Sequence, residues 1–189
     1  PDQLSKVLPI LKEIAAGCGS SLADIIVLAG NVAIENVTGM EVQFIPGRGD
    51  ARQEQTDADS FAYLEPIADG FLNYKRDDVD IKPEEILLDK SHLLGLTAPE
   101  MTVLVSGFRS LGISSDNEGV FTSDTSKLNN SFCTNLMDMN IIWERNGEFS
   151  YIGVDKVTGI AKRKASSVDL SFGSNSQLRS IAEVYAMND

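Results

Sequence analysis

Residues 96–112, LTAPEMTVLVSGFRSLG, constrain the fold more than any other stretch of this chain. Thr97 stands where an N-cap belongs, Pro99 falls in the first turn, and Glu100 follows Thr97 by three residues. That is a capping box, in which each end of the turn satisfies an orphan backbone donor of the other. Met101, Leu104, Val105, Phe108 and Leu111 then recur at helical spacing, and Val103 adds apolar surface on a second side. A helix that is apolar over most of its circumference must be surrounded, so other helices pack around it and the fold is mainly α. Gly107 permits a close neighbour and Gly112 supplies a C-terminal stop. Arg109 is the misfit: a charge near the end of an apolar helix either caps the last carbonyls or points into a cavity.

The flanking segments are read the same way. Leu4, Val7, Leu8, Leu11, Ile14 and Ala15 form one stripe over residues 2–16, a helix that Pro9 kinks or starts and that Gly17 and Gly19 end. Ser21 and Asp24 open a second helix, SLADIIVLAGNVAIENV, closed by Thr38 and Gly39; it is apolar all round and is expected in the core. Residues 40–59 make a long polar connection, of a length that usually serves function or wraps another surface. A short helical stretch follows from Ser60 until Pro66 interrupts it, residues 68–74 read as helical or turn-like, and the charged run 75–80 reads as a solvated loop. Pro83, Glu84 and Glu85 start a helix that Gly95 stops. A short helix over 131–139 places Phe132, Leu136 and Met139 inward. Residues 141–145, 148–155 and 160–165 are strand-like, with Asn146-Gly147 as a two-residue hairpin turn. A capped helix over 174–187, with Leu178, Ile181, Ala182 and Tyr185 on one face, comes last. The expected fold class is therefore a mainly α bundle with a small antiparallel β excursion, in a single domain spanning 1–189.

Candidate chemistry is sparse. A formal charge of −12 leaves no basic stripe for nucleic acid and disfavours an anionic membrane surface. Cys18 and Cys133 cannot make a disulfide framework and read as two buried free thiols in a reducing compartment, hence a cytoplasmic protein. They lack the CxxC spacing of a zinc site. His92 is the only histidine, so any Ser-His-Asp or Cys-His device would have to use it, and no local partner pattern surrounds it. Residues 45–51, IPGRGDA, lack the GK[ST] ending of a phosphate cradle and read as a turn with a structural pairing of Arg48. Acidic clusters at Asp57/Asp59 and Asp77/Asp78/Asp80 miss the EF-hand template. From the residues alone this is a helical domain with no visible active site: no catalytic, cofactor-binding or metal-binding residue is assigned.

Several blocks together carry a resemblance. SLADIIVLAGNVAIE, PGRGDARQEQTDADSFAYLEPIADGFLNY, LTAPEMTVLVSGFRSLG, GVFT, LNNSFCTNLMDM and VDLSFGSNSQLRSIAEVYA, in order over nearly the whole chain, closely resemble the C-terminal half of catalase-peroxidases. The resemblance implies a class I haem-peroxidase-like helical fold. It also implies a parent enzyme in which the N-terminal half binds haem b and decomposes hydrogen peroxide, while the C-terminal half is a haem-free scaffold supporting that half and the homodimer. In a haem-binding half, the helix matching 98–112 would carry the iron-ligating histidine near its C-terminal end; here SGFRSLG brings Phe108 and Arg109 instead. The resemblance further implies a chain lacking a preceding distal-side helix and a final helix. No cofactor is expected in this chain, and its expected partner is the haem-bearing half. Arg109 is expected to fill the vacated proximal space by pairing with a carboxylate. The alternatives are a free-standing haem peroxidase with His92 or Cys133 as an unusual ligand, and a protein-interaction module using the loop at 50–59.

Overall fold

The structure, a computed structural model, describes residues 2–64, 66–76 and 80–188. Asp77 and Asp78, part of the run read above as a solvated loop, lie outside the described residues. The chain divides into two units, Pro1–Glu65 and Pro66–Asp189.

In the first unit, α1 (Asp2–Cys18) continues through Pro9 as one helix and packs on α2 (Leu22–Thr38). Ser21 caps α2 by accepting from the Asp24 N–H, and Gly39, at a φ of 67°, turns the chain out of it. The connection after α2 is strapped back onto that helix rather than free. Asp50 accepts from the Leu22 and Ala23 N–H groups at 2.8 and 2.9 Å, placing a carboxylate on the positive end of the helix dipole. Asp24 accepts from the Gly47 and Arg48 N–H groups and pairs with the Arg48 guanidinium at 3.0 Å, the structural pairing expected of this turn. Two short 3₁₀ turns lead to the single turn α3 (Phe61–Leu64). The expected core position of α2 is not met within this unit: Ile26, Val32 and Ile34 are exposed, and Asp24 and Ile25 are its buried residues. One helix and a polar strap cannot cover a helix that is apolar all round.

The second unit holds the main core. A small hairpin, β1 (Ala68–Asp69) with β2 (Tyr74–Lys75), precedes α4 (Pro83–Leu94) and α5 (Ala98–Ser110). The α5 start is the expected one, the Glu100 carboxylate accepting from the Thr97 N–H and hydroxyl at 2.8 and 2.6 Å. α5 touches α4, α6 (Ser131–Leu136) and α8 (Ser176–Ala186), so it is surrounded as its pattern demands. Between α6 and α8 lie an antiparallel sheet, β3 (Ile141–Arg145), β4 (Ser150–Asp155) and β5 (Ala161–Ser166), and a helix, α7 (Ser167–Ser174). The buried centre comprises Phe71, Leu87, Val105, Phe132 and Phe172. Phe132 stands edge-on to Phe172 and stacks on Phe121.

Three local expectations are corrected. Asn146-Gly147 does not make a two-residue turn. Arg145 pairs with Tyr151, so five residues, 146–150, separate the paired positions, and the Asn146 N–H is bonded to the Ser150 carbonyl at 2.9 Å. α6 ends at Leu136, and Met139 is exposed rather than inward, because the chain turns there to enter β3. The last helix starts two residues later than expected and is preceded by α7, which the apolar periodicity does not reveal.

Gly153 on β4 lies where any side chain would meet its neighbours: a Cβ there would stand 2.8 Å from Ile141 and 2.9 Å from Trp143. Gly153→Ala is expected to destabilise the fold by about 1–3 kcal/mol through overpacking, read as a lower urea midpoint at unchanged slope.

Candidate functional site

The residue that stands out chemically is Arg109. The last turn of α5 carries it into the core, where its side chain and that of Asp169 are both 0% exposed and meet at 2.8 Å, Nε to Oδ1. The sequence expectation of a carboxylate partner is met. The guanidinium also donates to the carbonyls of Phe71, Ile113 and Gly70, so four of its five N–H groups are engaged. A permanent cation in a low-dielectric core is tolerable only when paired and hydrogen-bonded in this way.

Asp169 is placed by its own local sequence. Ser166 is the N-cap of α7 and Asp169 its third helical residue, and the two form a capping box. The second carboxylate oxygen of Asp169 accepts from the Ser166 N–H at 2.8 Å and from the Asn73 amide at 3.0 Å. Asn73, at a φ of 54° in the turn between β1 and β2, also donates to the Glu118 carbonyl at 3.3 Å. Gly119 seals the pair: its φ is +75°, and a Cβ there would lie 2.6 Å from Asp169 Oδ1 and 2.8 Å from Arg109 Cδ. One ion pair thus ties α5, α7, the β1–β2 turn and the segment around 118–119. The sequence points to Arg109; Asp169, Asn73 and Gly119 are the members it does not single out. The available signal was Ser166 followed three residues later by an acid, a helix start.

The family model described as Peroxidase matches residues 2–188. The chain belongs to the peroxidase family. It is 53% identical over its whole length to the catalase-peroxidases of Alkalilimnicola ehrlichii and Marinobacter nauticus, and 52% identical to that of Vibrio cholerae. It spans 27% of the length of each of these relatives.

Peroxidases of this kind are associated with haem, whose iron needs a side chain with a lone pair to give. At the end of α5 the side chain is a guanidinium, which has none to offer a metal. Its surroundings are filled by Asp169 and by the Phe71, Gly70 and Ile113 carbonyls. His92 lies exposed in the last turn of α4, apart from this cluster. Cys133 is fully buried with Ser106 at 3.5 Å, and burial pushes its thiol up, away from the thiolate a metal requires. Among the described residues no group of three or more His, Cys, Asp or Glu could hold a metal ion. The residues here do not fit a haem iron. The second thiol departs from expectation: Cys18 is exposed, because the C-terminal turn of α1 leaves it at the rim of its unit. Hydrogen bonds from Ser20 hold its thiol below the usual range.

Removing one member of the buried pair strands the other. Asp169→Ala is expected to cost about 3–5 kcal/mol of stability, while the double change Arg109→Met with Asp169→Leu lies closer to the parent than either single change, measured by denaturant unfolding. In native protein near pH 8, about one thiol per chain, Cys18, should react promptly with a disulfide reagent. Cys133 should react only once the second unit opens; prompt labelling of both would contradict its burial.

Proposed function

We propose that this chain is the haem-free, C-terminal structural domain of a catalase-peroxidase. In this reading the parent enzyme decomposes hydrogen peroxide and oxidises donors through haem b in an N-terminal half, as a cytoplasmic homodimer. This domain carries no step of the chemistry. It supports the haem-bearing half by packing against it, and holding catalytic side chains in register matters because a misplacement of about 1 Å can cost on the order of 100-fold in rate.

The observation that carries the reading is the buried Arg109–Asp169 pair. A cation that cannot ligate iron stands at the position on α5 where a haem-binding peroxidase helix would present its histidine, and a carboxylate and three carbonyls consume its donors. The exposed apolar side chains of the first unit add support. Leu4, Ile10, Ile26 and Ile34 are about half exposed or more, at 58%, 57%, 45% and 52%, which suits a surface made to be covered by more of a longer enzyme.

Haemin titration followed in the Soret region tests this directly. The expected result is no saturable one-to-one band, together with increased peroxide breakdown when the haem-bearing half is mixed with this chain. A sharp stoichiometric band lost on His92→Ala would overturn the proposal and favour a free-standing haem peroxidase.

A further inference from the structure

Away from the ion pair, the second unit carries a groove of about 330 Å³ between the end of α6, the sheet and α7, within the range of roughly 300–1,000 Å³ typical of small-ligand sites. Its walls are mostly apolar, with Leu136, Ile141, Trp143 and Leu170 among them. Three charged side chains also line it. Asp138 is held by Arg163 at 3.1 Å, and Arg179 by Glu183 at 2.9 Å. Lys156 has no carboxylate partner among the described residues; its ammonium donates to the Met139 carbonyl at the groove's lip. Counting each pair as neutral, the groove has one uncompensated positive charge beside an apolar wall, on a chain whose formal charge is −12.

We propose that this groove binds a small apolar monocarboxylate, its hydrocarbon or aryl body against Trp143 and Leu170 and its carboxylate on Lys156. The charge complementarity selects this class. A neutral apolar ligand would leave the ammonium without a counter-charge. A phosphate would need several convergent donors, whereas the other cationic lining residue, Arg179, is already paired. The inference is independent of the haem-free reading, since it involves neither Arg109 nor iron.

The chain's single tryptophan is in the wall, so its fluorescence reports the site without a label. The full chain is titrated with 4-phenylbutyrate and, separately, with the isosteric neutral 4-phenylbutanamide. A ligand of this size is expected to saturate the acid titration with a Kd near ~1 mM, with the amide at least ~10-fold weaker. Lys156→Met should bring the acid down to the amide's affinity and leave the amide unchanged. Added salt should weaken the acid alone, a second readout that needs no variant. Absence of a saturable response to the acid up to about 10 mM would overturn the proposal. So would equal binding of acid and amide, or an acid affinity indifferent to both Lys156→Met and salt.

Discussion

Desolvating a guanidinium is among the most unfavourable things a folding chain can do, and this one does it at the centre of its main core. The desolvation is offset only because Asp169 and three carbonyls converge on Arg109 from separate parts of the sequence. That requirement explains features that would otherwise look unrelated. Ser166 must cap α7 so that the helix's third residue, Asp169, faces inward. The β1–β2 turn must place Asn73 in a left-handed conformation to reach Asp169. Position 119 must be glycine, since any side chain would collide with both members of the pair. Apolar residues around this point, Phe71 and Phe172 among them, pack against an interior whose polar geometry is already set. Directional hydrogen bonds specify one arrangement; the apolar contacts add energy with less discrimination.

Much of this could be read from residues alone, and the division follows a physical line. α5 was legible because its capping box and apolar spacing are local and redundant. The same holds for α4, whose proline start and Gly95 stop agree. Arg109 was legible as a contradiction, a charge in an apolar pattern that has to find a partner. The partner was not, because it lies 60 residues away in a Ser-rich segment whose helix shows little apolar periodicity. Asn146-Gly147 misled for a related reason. A favourable turn dipeptide is a weak preference, and the pairing of Arg145 with Tyr151 lengthened the loop around it. α2 misled in the other direction: an all-round apolar helix announces that it needs cover without saying which polypeptide provides it.

The candidate site divides the same way. An absence of ligand patterns around His92, Cys18 and Cys133 is visible in a sequence, whereas the filling of the space beside α5 is a three-dimensional property. Membership of the peroxidase family is what connects that filling to the proposed haem-free role. Without the family, the same pair would be one more buried salt bridge, weak evidence of anything beyond the fold.

The sequence distance across the pair also sets a clock. Arg109 leaves the ribosome 60 residues ahead of Asp169, and Asn73 leads it by 96. At about 5–20 residues per second, the guanidinium waits roughly 3–12 s for its carboxylate. During that interval hydration favours keeping the end of α5 in water, so the helix cannot settle into its final seat. The centre of this unit is therefore completed only once Asp169 has emerged, whereas local features that precede it in the chain, such as the capping box of α5, need not wait for it.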